Sequence, residues 1–151
     1  MFLEETDLGT TLYDYQIDEI TEGDGNIVLQ AMQAAEEEIR SYLSGNGKKE
    51  WSDGRPKYDV NAILSAIGVK RNMLLVRHGS TIAKWYIVEL CNADIIYEQA
   101  KERYDRAVSW LTKLSKGTVT LGGLPTIPIA TGETETDTFG YGSRVKFIHD
   151  N

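Results

Sequence analysis

The sequence predicts a mainly α domain, an antiparallel bundle of three long and two or three short helices with a small C-terminal β segment. Three stretches predict it, residues 26–44, 71–92 and 95–117, because in each the apolar residues return with the 3.6-residue period of a helix stripe. Short glycine-punctuated connections favour antiparallel neighbours in such a bundle. On this reading residues 1–125 form the helical domain and residues 126–151 an extended, partly flexible tail.

The 95–117 stretch carries the clearest stripe, with Ile96, Ala100, Tyr104, Ala107, Val108, Leu111 and Leu114 on one side. Its other side holds the i,i+4 pairs Glu102–Arg106 and Lys101–Asp105. Such pairs add only about 0.2–0.5 kcal/mol each, so the stripe needs packing partners, and the other segments are read as those partners. Asp94 is the expected N-cap, Lys113 and Lys116 face the carbonyl end, and Gly117 suits a left-handed stop. The 26–44 helix presents Ile27, Ala31, Ala34, Ala35, Ile39, Tyr42 and Leu43 inward and ends at Gly45. Its three consecutive acids, Glu36, Glu37 and Glu38, spread around the axis and read as a solvated face. Two short helices near residues 4–9 and 13–20 precede a turn at 22–26. A further short helix over 60–67 is capped by Asp59 and stopped by Gly68. Residues 118–121 have β character, and the alternation of Arg144, Val145, Lys146 and Phe147 is strand-like. That alternation suits either a strand pairing with 118–121 or one added to a neighbour's sheet edge.

Charge and composition narrow the function. A formal charge of −7 disfavours broad nucleic-acid or membrane-surface binding, which needs clustered Lys and Arg. Lys48, Lys49, Arg55 and Lys57 are interrupted by Glu50 and Asp53 and read as a solvated loop. The single cysteine, Cys91, permits no internal disulfide, which suits a reducing compartment. No apolar run approaches the ~20 residues of a membrane span, and no signal-peptide pattern opens the chain.

The 22–26 turn has half the look of a calcium loop but carries Ile27 where the loop's glycine belongs. Gly47-Lys48 lacks both the first glycine of a phosphate loop, where Tyr42 stands, and its hydroxyl residue, where Lys49 stands. The run Leu74–Thr81 resembles the signature of histidine phosphatases and phosphoglycerate mutases, which would make His78 of the Arg77-His78-Gly79 tripeptide the nucleophile and Arg77 a phosphate clamp. That chemistry needs a strand end, a second histidine and a general acid. The other histidine, His149, stands near the end of the tail, and residues 71–92 have a helical pattern in which Gly79 is a local weakness of about 1 kcal/mol. Trp51, in a polar loop, reads equally as a core plug or a partner anchor. The expectation is therefore no catalytic residue, no cofactor-binding residue and no metal ligand.

Residues 71–76 (RNMLLV), residues 102–111 (ERYDRAVSWL), Lys116-Gly117 before the β-like 118–121, and a helix end at Tyr42-Leu43-Ser44 stand in an order that resembles the Mu-like phage and prophage family of small virion proteins, in the variant found in Bacteroides-type bacteria. The likeness covers roughly residues 2–125 and rests on order and spacing. It implies a head–tail connector, a small helical adaptor that forms a ring between portal and tail, with DNA at most passing through its channel. It also implies protein partners, no small-molecule substrate, no membrane, and a location in the bacterial cytoplasm during assembly and then in the virion. The other readings are a different phage structural or regulatory binding module and, more remotely, the phosphatase-like enzyme.

Overall fold

The computed structural model describes residues 1–9, 14–45, 56–91 and 97–128, and they are mainly helical. In chain order the helices are α1 (Glu5–Leu8), α2 (Asp14–Thr21), α3 (Gly25–Gly45), α4 (Val60–Leu64), α5 (Met73–Leu90) and α6 (Tyr97–Ser115), with a 3₁₀ turn at Gly68–Lys70. The three long helices run up, down and up. Ring contacts pair His78 of α5 with Trp110 of α6, and Trp85 with Tyr97 and Tyr104, so these two helices are antiparallel.

The bundle is organised around α5 rather than α6, contrary to the sequence reading. Helix α5 buries ten side chains or glycine positions, among them Leu75, Ile82, Ile87 and Val88, whereas α6 buries four. A helix flanked by two long partners must be apolar over much of its circumference, which blurs its stripe. An outer helix keeps a clean stripe, and that is why residues 95–117 looked dominant. Of the predicted inward positions, Ala100, Ala107, Leu111 and Leu114 are buried, while Tyr104 and Val108 are half-buried.

Helix starts and stops follow local chemistry. Asn72 caps α5 by accepting from the backbone N–H of Leu74 and Leu75, both at 3.1 Å. Asp59 caps α4 by accepting from Ala62 at 3.0 Å, as expected, though α4 closes at Leu64, short of residue 67. Gly117, at φ +74°, ends α6 with paired bonds from Thr118 to the Lys113 carbonyl and from Gly117 to the Leu114 carbonyl. This is the Schellman arrangement, which needs a left-handed residue at that position. Helix α2 ends with Gly23 N–H donating to the Asp18 carbonyl at 3.0 Å and Glu22 at φ +53°, a conformation that costs a residue bearing a Cβ about 1 kcal/mol.

Helix α3 turns a slightly different face inward than its pattern suggested. Val28 and Met32 are buried beside Ala31, Ala35, Ile39 and Leu43, and Ala34 is exposed. Gly79 is not a weak point of α5 but a place of close approach. A Cβ built there would lie 2.8 Å from Leu3 Cδ2 and 3.0 Å from Ile39 Cδ1, so the N-terminal segment and α3 close onto α5 only because no side chain intervenes.

Residues 118–121 form no strand. The β character among the described residues is one antiparallel bridge, Tyr58 with Thr126. Around it, Asp59 N–H donates to the Pro125 carbonyl at 2.9 Å and Ile127 N–H to the Lys57 carbonyl at 2.8 Å. The buried Tyr58 also accepts from Leu121 N–H at 3.0 Å, so the chain after α6 is drawn back across the start of α4. Asp94, Ile96, Trp51, Lys48, Lys49, Arg55, His149 and the alternating segment around Val145 lie outside the described residues. No helix among the described residues is long and apolar enough to cross a membrane.

Candidate interaction surface

Polar side chains meet at three places on this bundle, and two of them are structural. At the start of α5, Arg71 is buried and its donors are taken up on every side. Its Nη1 donates to Asp7 Oδ2 at 2.5 Å and to the Phe2 carbonyl at 3.0 Å, Nη2 to Asp7 Oδ1 at 3.2 Å, and Nε to the Gly68 carbonyl at 3.2 Å. Glu4 stands 3.4 Å from the same guanidinium. Asp7 in turn closes a capping box by accepting from Glu4 N–H at 2.8 Å. A four-residue helix cannot hold itself. This bidentate ion pair and the burial of Phe2, Leu3 and Leu8 hold α1 against α5.

The second place corrects the reading of Glu36, Glu37 and Glu38 as a solvated face. Only Glu37 behaves so, pairing with Arg40 at the surface. Glu36 accepts from Leu3 N–H at 2.8 Å. Glu38 receives two phenols, Tyr86 at 2.8 Å and Tyr104 at 3.0 Å, one on each oxygen. One carboxylate thereby ties α3, α5 and α6 together. Burial, and after it the Glu38 charge and hydrogen bond, pushes the Tyr104 phenol up to about 12; Tyr86 is raised by burial first and then by its Glu38 hydrogen bond.

The third place is an open groove of about 830 Å³ between α5 and α6. Met73 and Leu74 line it from the first turn of α5, and both are exposed. Arg77 and Lys84 follow along α5, Arg103 and Arg106 face them from α6, and Asp7, already held by Arg71, is the carboxylate on its wall. Four cations therefore converge on one groove of a chain whose net charge is −7. Arg106 pairs with Glu102 on its own helix. Arg77 and Arg103 are exposed and make no ion pair among the described residues. Lys84 is mostly buried, and burial, with Arg103 second, lowers its pKa.

His78 sits in this groove as part of its wall. Its ring stacks on Trp110 at a centroid distance of 4.5 Å and an interplanar angle of 18°. Burial, and then the charge of Arg77, lowers its pKa below 6.5, so the imidazole is neutral at neutral pH. The Arg77-His78-Gly79 tripeptide lies within α5, with Gly79 packed against Leu3 and Ile39, and not at the end of a strand. Cys91 follows the last residue of α5, and burial together with Glu22 and Asp24 raises its thiol, which disfavours the thiolate needed of a nucleophile. Among the described residues no three His, Cys, Asp or Glu side chains are grouped to hold a metal ion.

Sequence reasoning met the groove residues singly, as helix surface, and missed their convergence. Arg77 and Arg103 are 26 positions apart, and only antiparallel packing of α5 on α6 brings them together. The available signal was the alternation of Arg103 and Arg106 with the inward Tyr104 and Ala107. Comparison of the chain with protein-family models, curated proteins and solved structures returns no match.

Proposed function

We propose that this chain is a non-enzymatic assembly subunit of a phage or prophage particle, a head–tail connector whose copies associate with one another between portal and tail. What supports the reading is the order and spacing of the runs that resemble those of the Mu-like virion family. Those runs fall on the end of α3, the start of α5, the body of α6 and the Schellman stop at Gly117, the elements that build an α bundle. The rival phosphatase reading loses its geometry, because a phosphorylated histidine needs an open imidazole at a strand end with a proton donor across from it. Here the ring is stacked on Trp110 within a helix surface. Partners on this reading are the portal, tail components and further copies of the chain, first in the bacterial cytoplasm and then in the virion.

A connector gains affinity from shape and from repetition, since weak contacts between identical copies add up when the assembly closes on itself. Light scattering of the chain alone and with the portal protein of its own element tests the proposal. The expected result is association of copies, strengthened by portal. A chain that stays monomeric in both conditions contradicts it, as does phosphatase turnover that disappears in His78→Ala. Binding to another virion component in place of portal would move the chain elsewhere in the particle.

A further inference from the structure

We infer that the cationic groove between α5 and α6 receives the outer face of α2 from a second copy of the chain; this rests on the self-assembly reading above. The distribution of charge supplies the first argument. Residues 1–39 contain eleven Asp and Glu and no Lys or Arg, whereas residues 40–151 contain twelve acids against sixteen Lys and Arg. The N-terminal third of the chain is thus acidic throughout, most openly on α2, and the groove is its cationic counterpart.

Helix α2 shows which acids are presented. Ile17 and Thr21 point inward and are buried, and Thr21 returns its hydroxyl to the Ile17 carbonyl at 2.8 Å. Tyr15, Asp18 and Glu19 stand at i, i+3 and i+4, form the opposite stripe, and are all exposed. One aromatic ring and two carboxylates on a single helix face match a groove lined by Met73 and Leu74 and by Arg77, Arg103 and Arg106. This is helix-in-groove recognition with complementary charge.

The same molecule's α2 does not fill its own groove. The groove's lining comes from Asp7 of α1 and from α5 and α6, and no described residue of α2 is part of it. The two complementary surfaces therefore meet between copies, and because they are different surfaces the contact repeats head to tail. It is also salt-sensitive, since both sides are exposed.

Sedimentation equilibrium of the full chain with two charge reversals tests this. R77E/R103E reverses the groove and D18R/E19R reverses α2, and unchanged melting temperatures establish that both variants fold. The expected result is association of the wild type that weakens with salt, a loss of about tenfold or more in each variant alone, and recovery when the two variants are mixed. In the mixture an acidic groove meets a basic α2. Association that persists in both variants overturns the groove assignment while leaving self-assembly standing. A wild type that stays monomeric at every concentration, with no recovery in the mixture, overturns the groove assignment, and overturns self-assembly as well when adding portal brings no association. Loss in the groove variant alone, with D18R/E19R associating normally, removes α2 as the occupant. Duplex DNA retained by the wild type and released by R77E/R103E, with self-association unaffected, assigns the groove to nucleic acid and overturns the inference.

Discussion

Arg71 and Arg77 stand six residues apart at the same end of α5 and do opposite things. Arg71 is buried, with Asp7, two backbone carbonyls and nearby Glu4 around its guanidinium. Arg77 is exposed on the groove, beside a neutral His78 and facing Arg103 and Arg106. Burying a charge is tolerable only when its hydrogen bonds are completed, and at Arg71 the chain completes them. The second arginine is left where an outside carboxylate can reach it. A charge that the fold satisfies belongs to stability, whereas like charges brought together in an open groove weaken the fold slightly and favour an acidic partner.

Substitutions should separate the two kinds of charge. Asp7→Ala leaves Arg71 buried without its bidentate partner, and a loss of about 3–5 kcal/mol is expected in denaturant melts. A loss below about 1 kcal/mol would mean that α1 contributes little to the bundle. Glu38→Ala removes the acceptor shared by Tyr86 and Tyr104 and should cost about 1–2 kcal/mol, less than full burial implies because both rings are half exposed. The same substitution should bring the Tyr104 ionisation, read by ultraviolet absorbance, down from about 12 toward the ordinary value of 10. Gly79→Ala should destabilise by about 1 kcal/mol, because crowding of Leu3 and Ile39 outweighs the gain in helix propensity. An exposed helical glycine would show the opposite sign, so thermal melts decide whether the approach is as close as described. Arg77→Gln, the smallest effect, should change stability by less than about 0.5 kcal/mol while weakening association between copies.

Much of this architecture was legible from residue order. The three long helices, Asp59 as a cap, Gly117 as a left-handed stop and α1 as a short helix all follow from short-range chemistry and were expected where they occur. What was misread depends on contacts distant in sequence. Glu38 looked like surface because a carboxylate on a helix usually is; only the arrival of Tyr86 and Tyr104 from two other helices makes it a tie. Gly79 looked like a flaw because its neighbours Leu3 and Ile39 lie far from it along the chain. The short β character of 118–121 gave way to a turn held by Tyr58, whose hydroxyl no local pattern announces. The groove was hidden for the same reason, being made of two helix surfaces that each look ordinary alone.

Negative-stain electron microscopy of the chain mixed with the portal protein of the same element tests the connector proposal most directly. The expected images show closed rings of the small subunit seated on one face of the portal, lost when R77E/R103E replaces the wild type. Bare portals beside unassembled 16.9 kDa subunits, at concentrations where both are folded, would contradict it.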